Sequence, residues 1–98
     1  MMMATEFKNE VLDWANNLGV KPKEIQIRGM KRKWASCSSK GRLTFSFELL
    51  ELSPEERANV IVHELLHLKY EKHCEFFDSL IAAHLSKKGI KFKKNFIK

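Results

Sequence analysis

Cysteine, proline and glycine are all scarce in this 98-residue sequence, which has two, two and four of them. Cys37 and Cys74 cannot build a disulfide framework, and in a cytosolic chain they stay reduced. With prolines only at 22 and 54, and glycines only at 19, 29, 41 and 89, few positions can break a helix or strand. No apolar run approaches the roughly 20 residues of a membrane span, so no membrane partner is expected. The start, MMMATEFKNEVLDW, has no signal-peptide core because Glu6, Lys8 and Glu10 interrupt it, and the expected location is cytoplasmic. Repeats, low-complexity tracts and linkers are absent too, so residues 1–98 read as a single domain, as a monomer or homodimer.

Acidic residues are outnumbered, giving a formal net charge of +6. The excess is concentrated in Lys31-Arg32-Lys33 and in the tail from Lys87 to Lys98. Such patches attract nucleic acid or acidic protein segments. Neither a basic recognition helix nor an aromatic-interleaved RNA signature accompanies them, and nucleic acid is only weakly supported as a partner.

Periodicity supplies the elements. Residues 5 to 18 form an amphipathic pattern through Phe7, Val11, Leu12, Trp14, Ala15 and Leu18, with Thr5 as N-cap and Gly19 as terminator. Glu24 to Arg28 alternates as a strand, and Trp34 to Ser38 and Arg42 to Phe47 give two more, joined by a turn at Ser39-Lys40-Gly41. In the last strand Leu43, Phe45 and Phe47 face the core, with Thr44 and Ser46 opposite. Ser53-Pro54-Glu55-Glu56 is a capping box with Pro at the first helical position. A further helix runs from about Glu75 to Lys88, ended by Gly89. The class is α+β: an N-terminal helix, a small, mostly antiparallel three-stranded sheet, a central helix and a C-terminal helix.

The central helix carries the chemistry. Within VIVHELLHLKYEKH, His63, Glu64 and His67 stand in the order HExxH, flanked by Val60, Ile61, Val62, Leu65, Leu66 and Leu68. Residues four apart share a helical face, so two imidazoles there can reach one ion. Two histidines and a glutamate buried on such an apolar helix cost several kcal/mol unless something pairs with them. Zn²⁺ does so, and HExxH is the signature of zinc peptidases. Glu64 projects about 100° further round the helix, a place for a general base acting on water beside the metal rather than for a ligand.

A catalytic zinc site needs a third protein ligand. On a straight helix His73 would lie about 9 Å along the axis from His67, so the chain must leave the helix near Tyr70 to Lys72. Metzincins share this spacing and turn on a glycine; here that position is Tyr70, so packing must impose the turn, with Phe76 and Phe77 as candidates. Glu71, Glu75 and His84 compete with His73 for the role, and Cys74 is a further candidate ligand of a structural site.

In order along the chain come WASCS (Trp34 to Ser38), GRLTFSFELL (Gly41 to Leu50), the Ser53-Pro54 helix start, HELLHL (His63 to Leu68) and HCEFF (His73 to Phe77). Over about residues 31 to 85 this set resembles the YgjP-like metallopeptidase domain, a zincin group related to SprT-like proteins and the small archaeal minigluzincins. The resemblance implies a minimal zincin-like fold, Zn²⁺ held by His63, His67 and His73, Glu64 as catalytic base, and a peptide or protein substrate. The chain departs from the family pattern with Ala35 for Gly, Ser46-Phe47 for an Asn-Trp pair, and Asp78 where Trp follows Phe77. These changes bear on the substrate groove.

The sequence thus favours a zinc-dependent peptidase over a non-catalytic, zinc-stabilised binding module that meets nucleic acid through its basic patches. Intact Glu64 separates the two, because a closed structural site has no use for it. The tail, residues 90–98, combines Ile90, Phe92, Phe96 and Ile97 with lysines, a pattern able to fold over the cleft and keep the enzyme latent.

Overall fold

The computed structural model describes residues 2–30, 34–38, 40–70 and 75–92. Helix α1 spans Ala4–Leu18, strands β1, β2 and β3 span Glu24–Arg28, Ala35–Cys37 and Arg42–Ser46, and a 3₁₀ helix covers Phe47–Glu51. Helices α2, Pro54–Leu66, and α3, Glu75–Ser86, complete the α+β architecture.

α1 buries Phe7, Val11, Trp14, Ala15 and Leu18, the i, i+4, i+7 row of an amphipathic helix. Leu12 is 51% exposed, since it lies a further 100° round from Val11. The helix starts one residue before the Thr5 cap read from the sequence. Met3 is the N-cap, and its N–H donates to the Glu6 carboxylate at 3.0 Å. Gly19 ends the helix at φ 71°, with the Val20 N–H returning to the Ala15 carbonyl.

The sheet is mixed, in the order β1-β3-β2. β3 pairs antiparallel with β2 through Ala35↔Phe45 and Cys37↔Leu43, and parallel with β1 through Ile25↔Leu43 and Ile27↔Phe45. Only the hairpin half of a mostly antiparallel sheet was legible from turn chemistry, because alternation in β1 fixes neither its neighbour nor its direction. Gly41 serves the hairpin turn at φ 88°, where a Cβ would also meet Lys23 Cγ at 3.3 Å. Leu43 and Phe45 are fully buried, and the Phe45 ring meets Phe7 edge-on at 5.1 Å. Phe47 departs from the expected core face and is 52% exposed. The strand has already ended at Ser46, whose hydroxyl accepts from the Glu48 N–H and caps the 3₁₀ helix from a buried position.

α2 is the centre of the molecule. Its capping box forms as read: Ser53 Oγ accepts from Glu56 N–H, and the Glu56 carboxylate accepts from Ser53 N–H. Every residue from Arg57 to Leu66 is buried, with α1, α3 and β2 packed around the helix. Arg57, surprising in that company, is matched by the Glu10 carboxylate and the Leu52 carbonyl. Among the described residues, no helix is long and apolar enough to cross a membrane.

Candidate metal centre

α2 delivers His63 from its last turn and His67 as its C-cap. His67 keeps a right-handed helical backbone, φ −65° and ψ −16°, so the two histidines stay on one face although the regular helix stops at Leu66. Their ring centroids are 4.7 Å apart. Two imidazoles bound through nitrogen to one tetrahedral Zn²⁺ at about 2.0–2.1 Å have centroids roughly 5 Å apart, so the pair fits that ion.

The other ring nitrogens have partners that can only accept. His63 Nδ1 lies 2.9 Å from Glu64 Oε2, and His67 Nδ1 lies 3.2 Å from the Tyr70 carbonyl. A carboxylate and a carbonyl oxygen both match a donating Nδ1–H, the neutral tautomer that leaves Nε2 as the lone-pair nitrogen of each ring. His63 and Glu64 are 3% and 7% exposed.

The walls come from three elements. From α3, the fully buried Phe77 ring lies 4.6 Å from His67 and 5.4 Å from His63, centroid to centroid. From β2, the half-buried Cys37 faces Glu64: burial first, then the Glu64 charge, push its thiol above the usual cysteine range. On α2, one turn before His63, sits the buried Asn59, whose amide donates to the Glu55 carbonyl and to the Lys91 carbonyl. Asn59 was not singled out by motif, and Cys37 entered the sequence reading only as a reduced cysteine and as part of WASCS. The spacing of Asn59, His63 and His67, a polar residue every fourth position on an apolar helix, was the available signal for Asn59.

The chain leaves α2 earlier than the window of Tyr70 to Lys72 expected from ligand geometry. Beyond Leu66 the bonds tighten, Leu68 N–H to Leu65 and Lys69 N–H to Leu66. The Lys69 ammonium reaches back to the Leu18 carbonyl at 3.2 Å, where it meets the negative end of α1. The exit is thus held by side chains rather than by a glycine.

His73, Glu71 and Cys74 lie outside the described residues, as does the side chain of Glu75. Among the described residues, no three His, Cys, Asp or Glu side chains converge on one point. His84, a candidate third ligand from the sequence, stands two turns along α3 from Phe77, beside Lys69 and Lys87. Burial first, and then those two cations, lower its pKa. An NMR titration should place the His84 midpoint below that of histidine in the unfolded chain. The folded state then binds this proton less readily, so the associated stability is complete above the unfolded pKa and is lost as pH falls through the folded one.

Comparison with known proteins bears on the fold and the family. The crystal structure of the metallopeptidase zymogen of Pyrococcus abyssi abylysin matches with a TM-score of 0.65, over 89% of this chain and 99% of that one. At 24% sequence identity the likeness shows the fold alone, one shared with that metallopeptidase zymogen. The uncharacterized protein MJ1213 of Methanocaldococcus jannaschii is 36% identical, across 84% of this chain and 83% of its own length. The model of the YgjP-like metallopeptidase domain matches residues 2–91, which takes in α1, the sheet and both histidines of α2. The chain belongs to the YgjP-like metallopeptidase domain family.

Proposed function

We propose that the protein is a zinc-dependent peptidase in which His63, His67 and His73 hold the metal and Glu64 is the general base. The observation that carries this reading is the imidazole pair, 4.7 Å apart, with both Nδ1 atoms committed to acceptors and the Glu64 carboxylate alongside. A bound Zn²⁺ lowers the pKa of water to about 7 and polarises the carbonyl under attack. Glu64 takes the proton released by the attacking water and hands it to the departing amine. One carboxylate oxygen rests on His63 Nδ1, and the other is the one assigned to that proton. Phe77 closes the inner side of the site, where exclusion of water strengthens both interactions.

β2 suits an extended substrate. It is an edge strand of the sheet and packs against α2, so a peptide added along it passes the Glu64 side of the centre. The direct test is cleavage of a peptide library by zinc-loaded protein, with loss of cleavage on chelation and recovery with zinc. Zinc retained without cleavage of any peptide would favour the binding module instead.

Latency is part of the proposal. Ile90 and Phe92 pack against the core, and the Lys91 carbonyl is held at 3.0 Å by Asn59, one turn before His63. Residues 90–92 thus lie beside the turn of α2 that precedes His63, and residues 93–98 lie outside the described residues. The similar abylysin structure is, by its own description, a zymogen. A tethered segment acts at roughly millimolar effective concentration, so even a contact of about 0.1 mM would occupy the cleft most of the time. Truncation after Phe92 keeps the Asn59 anchor and removes the remainder. It should raise peptide cleavage about tenfold at unchanged zinc content; unchanged cleavage by a folded truncation leaves the tail without this role.

A further inference from the structure

We infer that Tyr70 is a positioning residue for the metal ligand His67, and that its anchor is the ring of Phe76 on α3. The inference rests on the proposed metal site and names a device in it that the HExxH motif does not contain. The Tyr70 carbonyl accepts from His67 Nδ1 at 3.2 Å, which orients the imidazole and sets the tautomer that leaves Nε2 for a metal. A carbonyl can do this only if its residue is fixed, and Tyr70 follows the end of regular α2 with no proline or glycine to fix it. Its N–H donates to the Leu66 carbonyl at 2.9 Å, which holds one end of the residue, and its side chain supplies the second tie: the ring meets Phe76 edge-to-face at 6.1 Å, an interplanar angle of 87°.

Two adjacent residues of α3 thereby act on His67 from different directions. Phe77 lies against the imidazole ring itself, and Phe76 holds the residue whose carbonyl orients it. This accounts for two large aromatics left in solvent, Tyr70 at 38% and Phe76 at 61% exposed. An exposed pair adds little to folding, whereas a defined carbonyl position matters to a ligand.

The test uses full-length Tyr70→Ala, Phe76→Ala, the double variant and Tyr70→Phe. Zinc affinity is read by chelator competition, and the His67 tautomer by imidazole ¹⁵N shifts in the metal-free protein. Each alanine variant should bind zinc about tenfold more weakly, the scale of losing an outer-sphere partner. Both should also lose the pure Nδ1–H tautomer of His67 while melting, metal-free, like the wild type. The double variant should be no worse than either single, since the two rings act as one unit. Tyr70→Phe should match the wild type on both readouts. Wild-type zinc affinity and tautomer in Tyr70→Ala, or losses that simply add in the double variant, would overturn the inference. Should the wild type bind no zinc, the peptidase proposal fails, and the metal-free tautomer still decides the role of Tyr70.

Discussion

His63→Ala and His67→Ala should each abolish the difference in melting temperature between zinc-loaded and chelator-treated protein. For the wild type that difference is large. A ligand that binds only the folded state at a hundred times its Kd stabilises by about 2.7 kcal/mol. In a domain of this size each kcal/mol moves the midpoint by roughly 4–8 °C, so zinc should raise it by about 10–20 °C. The comparison must be made within each variant. His63 is 3% exposed and packs on Phe77, so its removal also leaves a cavity that lowers the metal-free midpoint. His67 is more exposed and gives the cleaner variant. Metal content by elemental analysis supplies the second readout, about one Zn²⁺ per wild-type chain and none in either variant. A zinc-dependent midpoint persisting in both variants would remove the imidazole pair from the site.

The parts of this molecule legible in the sequence are those written in local chemistry. Ser53-Pro54-Glu55-Glu56 names its own capping box, Gly19 and Gly89 end helices at φ 71°, and Gly41 turns a hairpin. The HExxH spacing is likewise local, because both histidines belong to one helical path. What the sequence did not disclose depends on partners distant along the chain. β1 lies parallel to β3 although thirteen residues separate the strands, and nothing in Glu24 to Arg28 specifies that neighbour. Phe47 fits a strand pattern perfectly well, but Ser46 caps a 3₁₀ helix there and turns it outward.

The end of α2 shows the same limit at the site itself. By propensity, His67-Leu68-Lys69-Tyr70 continues a helix, with no breaker among them. The regular helix nevertheless stops at Leu66, where three contacts act together on the following turn, two reaching α1 and α3 and one within the turn itself. Lys69 meets the end of α1, Tyr70 meets Phe76 of α3, and the Tyr70 carbonyl meets His67. None of these contacts has a sequence signature. A glycine would make such a turn by local freedom; here packing makes it, and so couples His67 to the positions of α1 and α3.

Glu64→Gln should keep zinc and lose hydrolysis. The isostere is informative because the carboxylate sits in two possible roles at once, as acceptor for His63 Nδ1 at 2.9 Å and as base for the attacking water. A glutamine carbonyl still accepts from Nδ1, so the His63 tautomer and the metal affinity should survive. The amide cannot take a proton near neutral pH, and loss of a positioned general base lowers turnover by about 10²- to 10⁴-fold. In barrier terms that is about 3–5 kcal/mol at 1.36 kcal/mol per tenfold. The measurement belongs in the background truncated after Phe92, so that an occupied cleft does not mask the loss. Three outcomes are distinguishable there. Zinc retained with turnover lost assigns the base to Glu64. Zinc lost along with turnover means that Glu64 acts mainly by orienting His63. Zinc and turnover both retained means that the proton goes elsewhere, and the Glu64 carboxylate is only a neighbour of the metal.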